Sequence, residues 1–107
     1  MVKVRGKADP AVSAVKAAVE RFSKRHPDVE GVVYRYNSGA IRLRIVTRAF
    51  ERMDDVARYD KVWPFLEALD EDVVSQVSIL LLLTPNEYSA KQSMMNLEFD
   101  DPSPSRL

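Results

Sequence analysis

Hydrophobic positions change period along the chain, and each change marks a different kind of element. Val12, Val15, Val19 and Phe22 recur at spacings of three, four and three, which puts them on one face of a helix. Lys16, Glu20, Arg21 and Lys24 lie on or beside the opposite face. Asp9 is placed to cap that helix and Pro10 to open it. Pro27 stops it near Arg25, because proline disfavours helical geometry in the preceding residue and supplies no amide donor. The pattern predicts a helix over 10–25.

The period then shortens to two. Val32 to Tyr36 is rich in strand-forming residues, Asn37-Ser38-Gly39 is turn material, and Ile41-Arg42-Leu43-Arg44-Ile45 alternates strictly. An antiparallel hairpin with strands near 31–37 and 40–48 follows. It buries Ile41, Leu43 and Ile45 and turns Arg42 and Arg44 outward. Asp54 or Asp55 caps a second helical segment near 54–69, with Val56, Tyr59, Val62 or Trp63, Leu66 and Leu69 expected on its inner face. Pro64 is expected to kink this segment or divide it.

A third strand is predicted near 76–83. Ile79 followed by four leucines shows no alternation, as expected of a strand covered on both sides or set in the middle of a sheet. Thr84, Pro85 and Glu87 supply a cap, a first-turn proline and a capping box for a last helix, on which Tyr88, Met95 and Gln92 are expected to face inward. The order is helix, strand, strand, helical segment, strand, helix. It implies an α+β domain with a small mixed three-stranded sheet covered by helices on one face. The helical crossover makes the second and third strands parallel. Residues 1–9 are expected to be a flexible segment, 10–97 a single domain and 98–107, proline- and serine-rich near its end, a disordered tail.

Composition narrows the possible roles. A chain of 107 residues builds one core without staples. Sixteen basic and sixteen acidic residues cancel, which removes any global argument for nucleic acid or an anionic membrane and leaves only local patches. The absence of cysteine excludes disulfides and thiolate chemistry and fits the cytoplasm. The opening residues have no apolar core of a signal peptide, and Ile79–Leu83 is far too short to span a bilayer, so no membrane role is expected.

Little here suggests catalysis. His26 is the only histidine and lies at a helix end. The acidic groups Asp54-Asp55, Asp70-Glu71-Asp72 and Asp100-Asp101 sit near predicted element ends, where capping explains them better than a metal does. No glycine-rich phosphate loop is present, and nothing places serine, histidine and aspartate together. We therefore expect no enzyme, metal or cofactor. The arginines are more suggestive. Arg35, Arg42, Arg44 and Arg48 belong to the hairpin region, with Tyr34 and Tyr36 on the neighbouring strand. Such a face suits an acidic protein surface or single-stranded RNA, or is simply solvated with its charges paired.

From about Pro10 to Glu87 the chain resembles the BolA-like family, small domains of type II KH topology. The segment "IRLRIVTRAF" is similar to that family's second strand, which leads into a phenylalanine, an acidic residue and a glycine; Phe50 and Glu51 match, and Arg52 stands at the glycine position. Arg58, Val62, Trp63 and Leu66 fit the helix signature, while Tyr59 and Asp60 replace its histidine and second arginine. Thr84-Pro85 match the end of the third strand, and counting back puts Gln76 at the hallmark histidine. The resemblance implies Val62, Trp63 and Leu66 on the sheet, with Arg58 and Asp60 toward solvent or a partner. It also implies a glutaredoxin-like partner and a shared [2Fe-2S] cluster. Gln76 is a poor iron ligand beside imidazole or thiolate, so cluster ligation is not expected. The stretch "ERMDD" lacks the glycines of a nucleic-acid clamp and adds repelling carboxylates, so nucleic acid is the lesser alternative. The expectation is a protein-interaction or regulatory domain without cofactor.

Overall fold

A computed structural model describes residues 1–90 and 93–105. The elements are β1 (Val2–Arg5), α1 (Pro10–Arg25), β2 (Glu30–Asn37), β3 (Ala40–Val46), α2 (Asp55–Glu67), α3 (Glu71–Val74), β4 (Val77–Leu83), α4 (Pro85–Ala90) and α5 (Met94–Asp100), with a 3-10 turn at Arg48–Phe50. Local signals account for most of their boundaries. Asp9 accepts the Val12 amide at 2.9 Å, Asp54 accepts that of Ala57 at 2.8 Å, and Thr84 and Glu87 close a reciprocal capping box at 2.8 and 3.2 Å. His26 forms the C-cap of α1, its amide donating to the Ser23 carbonyl.

The sheet departs from the expected three-stranded BolA-like, type II KH-like order. It has four strands in the order β1-β2-β3-β4, because β1 adds parallel to β2 with Val2 opposite Gly31. Residues expected to be a flexible leader thus carry a strand. Val2 and Val4 alternate with Lys3 and Arg5, and Val2 enters the core. Gly31 permits the close fit: a Cβ there would sit 3.2 Å from Val19 and 3.4 Å from Val2. The hairpin β2–β3 is antiparallel and β3–β4 is parallel. The four leucines do not lie mid-sheet; β4 is an edge strand, and Ile79 to Leu82 are only half-buried.

One face of the sheet carries the core. Val12, Val15, Val19 and Phe22 of α1 pack with Val33, Ile41, Leu43 and Ile45 of the strands and with Phe50, Val62 and Leu66. The second face is also covered, against the expectation of helices on one side only: α5 and the chain after it lie over the outward residues of β2 and β3. Glu98, Phe99 and Asp100, expected in a disordered tail, are part of that cover. Pro64 does not divide α2, which runs through it as one helix. The hydrogen bond it forfeits is to the Asp60 carbonyl, on an exposed residue that water can serve.

The inner face of α2 is set by Arg58, Val62 and Leu66. Val56 and Tyr59, expected inside, are 69% and 42% exposed because they lie roughly a quarter turn or more from that row. Trp63 is half-buried, packed on the core and stacked on Tyr59 with ring centroids 5.1 Å apart. Met95, also expected inside, is exposed; Tyr88 is half-buried, and Gln92 lies outside the described residues. Among the described residues no helix is long and apolar enough to cross a membrane.

Candidate functional site

The arginine-bearing face is occupied by the chain's own C-terminal segment. Arg42 and Arg44 project from β3 on the side opposite Ile41, Leu43 and Ile45, yet both are buried. Arg42 Nη1 reaches Glu98 at 2.7 Å and the Tyr34 hydroxyl at 3.3 Å, with its guanidinium 3.5 Å above the Tyr36 ring centroid. Arg44 Nη1 bonds Asp100 at 2.7 Å and Asn96 at 3.0 Å. Arg5 from β1 stacks over Tyr34 and donates to the Phe99 carbonyl at 2.8 Å, which also accepts the Tyr34 hydroxyl. The Ser103 hydroxyl and the Arg42 guanidinium hold the Glu98 carboxyl down at about 2. Burial opposes the charge on Arg42, but Tyr34 and Glu98 outweigh it and raise its pKa. The carboxylates that these two arginines bind belong to the same chain.

The other sequence-selected residues do not join this face. Arg35 pairs with the cap Asp9, which its guanidinium holds at about 2, and it donates to Gln76 Oε1 at 2.9 Å. Gln76, which the resemblance puts at a histidine position, also gives its amide to the Asp72 carbonyl at 2.8 Å, so both ends are engaged in tying β2 to α3. Arg48 is exposed on the 3-10 turn and Asp60 is exposed on α2. Arg58 is not the solvent-facing group expected. It is 7% exposed, bonded to Glu87 at 2.6 and 3.2 Å and to the carbonyls of Met53 and Leu82, both at 3.0 Å. Its guanidinium holds the Glu87 carboxyl below the usual range. Phe50 is fully buried against Phe22, Thr84 is buried in its cap and Pro85 opens α4. Among the described residues no His, Asp and Glu group is arranged to hold a metal.

No protein-family model, curated protein or solved structure matches this chain.

Among the described residues the β4 edge has no strand beside it. Thr47 donates to the Leu83 carbonyl at 3.0 Å, so Leu83, and by alternation Leu81 and Ile79, turn their backbone groups to β3. Leu80 and Leu82 therefore turn theirs away from the sheet. Arg58 meets the Leu82 carbonyl there, leaving that oxygen a second lone pair. Beside the edge runs a groove of about 470 Å3 with Leu80 to Leu83 as its floor and Tyr59, Arg58, Glu87 and Met95 in its walls. β4 carries no charged residue and no proline, the devices that usually blunt an edge. By contrast, the opposite edge, β1, is four residues long and carries Lys3 and Arg5.

Sequence reasoning missed two groups of residues. Arg5, Asn96, Glu98, Phe99 and Asp100 complete the arginine face, and the signal available was an acidic, phenylalanine-bearing segment facing an arginine-rich hairpin in an otherwise neutral chain. Leu80, Leu81 and Leu82 form the open edge, signalled by an apolar run with no charge to guard it. A second depression, of about 380 Å3, lies between β2, β3 and α4. Its arginine, Arg44, is already bonded to α5, and its Asp28 to Thr47 and Arg48.

Proposed function

We propose that this domain is a non-catalytic protein-interaction module that receives an extended polypeptide segment along the β4 edge. The uncharged, half-exposed edge strand carries the reading. Strand addition supplies partners for the backbone groups of Leu80 and Leu82 and covers leucines otherwise left partly in water. Specificity on this reading comes from the groove beside it, where Tyr59 and Met95 offer apolar contact and the Arg58–Glu87 pair marks one end. Neither nucleic acid nor an acidic partner is favoured at the hairpin, because Arg42 and Arg44 already hold carboxylates of the same chain. A reducing, cytoplasmic setting fits the cysteine-free composition.

The test is a screen of random peptides against the immobilised domain. Retained peptides should be extended and apolar, and Leu81→Lys should release them while Arg48→Ala should not. A glutaredoxin-like protein, the partner that the BolA-like resemblance implies, and single-stranded RNA at low salt are the two defined comparison ligands. Retention of RNA or acidic peptides that survives Leu81→Lys would contradict the reading.

A further inference from the structure

We infer that the segment received at the β4 edge is β4 of a second copy, paired antiparallel about a two-fold axis through Leu81. This rests on the docking reading above and specifies its occupant. A strand suited to this edge must be apolar on both faces, since Ile79 and Leu81 point one way, Leu80 and Leu82 the other, and all four are half-exposed. β4 is itself such a strand. With no charge along it, a second copy meets no like-charge repulsion at any register, and the net charge of zero adds none at long range.

Symmetry then fixes the register. An antiparallel two-fold keeps the faces of the two sheets aligned, so outward residues must oppose outward ones and core-side residues core-side ones. The two position numbers of any facing pair therefore sum to an even value. Regular pairing of β4 with β3 runs from Ile79 to Leu83, beyond a register shift that leaves Ser78 unpaired, and the middle of that stretch is Leu81. Centred there, Leu81 opposes its own counterpart, Leu80 opposes Leu82, and Ile79 opposes Leu83. Leu80 and Leu82 are the residues whose backbone groups face outward, so the hydrogen-bonded pairs use both groups of Leu80, the Leu82 amide and the second lone pair of the Leu82 carbonyl, an oxygen shared with Arg58. Leu81 becomes a non-hydrogen-bonded pair, the closer of the two kinds.

The assembly also closes. The opposite edge is short and carries Lys3 and Arg5, so it offers no comparable strand on which further copies could add. Pairing through β4 alone gives a dimer rather than a filament.

The absence of cysteine makes the register directly testable. The intact chain should sediment as a concentration-dependent dimer. Leu81→Lys should weaken association at least about a hundredfold by setting two ammonium groups opposite each other across a strand pair. Its circular dichroism and urea midpoint should stay near those of the parent, because Leu81 is not among the residues packed on the core. Under mild oxidation Leu81→Cys should cross-link to itself. Leu80→Cys and Leu82→Cys should each fail alone and cross-link when mixed. A chain monomeric at several hundred micromolar, or self-cross-linking of Leu80→Cys in preference to Leu81→Cys, would overturn the inference. A monomer that retains apolar peptides in a Leu81-dependent way would overturn self-pairing and leave strand docking standing. A monomer that retains none would overturn both.

Discussion

Arg58 and Glu87 meet in a two-point pair, at 2.6 and 3.2 Å, where α2 lies against the end of β4. The same guanidinium holds the Leu82 carbonyl at 3.0 Å, so one side chain joins α2, β4 and α4 at the rim of the open edge. Arg58 is buried whereas Glu87 is nearly half exposed, so truncation strands the carbonyls of Met53 and Leu82 more than it strands the carboxylate. Arg58→Ala should cost about 2–3 kcal/mol, below the range for a fully buried pair. Arg58→Lys should recover little, because an ammonium cannot span the carboxylate and both carbonyls. Asp60→Ala, an exposed change on the same helix, should stay within about 0.5 kcal/mol. Urea denaturation of the three variants checks the ranking.

What was legible in the sequence was local. Asp9-Pro10, the valine spacing of α1 and the Thr84–Glu87 box each lie within a few residues of what they cause and form as read, while the turn read as Asn37-Ser38-Gly39 narrows to Ser38-Gly39 because Asn37 closes β2 opposite Ala40. What was not legible depends on distant partners. "VKVR" is too short to announce a strand and becomes one because β2 offers Gly31 opposite Val2. Alternation placed Arg42 and Arg44 on the second face correctly but carried no information on what lies over it; Glu98 and Asp100 are 56 residues away in sequence from their arginines. The leucine run of β4 resembles a central strand because both its faces are partly apolar contacts, although one side of its backbone has no strand beside it.

Trp63 sits between core and surface. A fully buried aromatic truncated to alanine costs about 3–5 kcal/mol, and a half-buried one stacked on an exposed tyrosine should cost less. Trp63→Ala should lose about 1.5–3 kcal/mol by chemical denaturation followed with far-UV circular dichroism. A loss under about 0.5 kcal/mol would place the indole outside the fold's support and in the interaction surface.

Acid should loosen two of the carboxylates that anchor arginines. Asp9 and Glu98 both have folded values of about 2, held there by Arg35 and the Val12 amide in one case and by Ser103 and Arg42 in the other. Their unfolded values lie near 4, so the stability they contribute is complete above about pH 5 and is lost as pH falls toward 2. The urea midpoint should be flat from pH 7 to about 5 and fall below it. Glu98→Gln should start lower and fall less steeply. A carboxyl-carbon titration placing Glu98 near its ordinary value would contradict the account of the arginine face.

Arg52 has a φ of +63°, in the left-handed region, at the position where the BolA-like resemblance expects glycine. A side chain there costs about 1–2 kcal/mol, part of which glycine returns through the greater freedom of its unfolded state. Arg52→Gly should therefore stabilise the domain by about 0.5–1 kcal/mol, read from the thermal or urea midpoint. Arg52→Ala, which keeps the strain, should not.

The central claim is that the β4 edge, and not the arginine face, is where this domain meets other polypeptides. Residue-resolved amide exchange by NMR tests it most directly, comparing dilute protein with protein at high concentration or saturated with a retained peptide. In the dilute state the outward amides of Leu80 and Leu82 should exchange quickly while those of Ile79 and Leu81, bonded into the sheet, are protected. On association Leu80 and Leu82 should become protected, with the amides of α5 and the segment around Arg42 and Arg44 unchanged. Protection gained instead along β3 and α5, with Leu80 and Leu82 still exchanging freely, would contradict it.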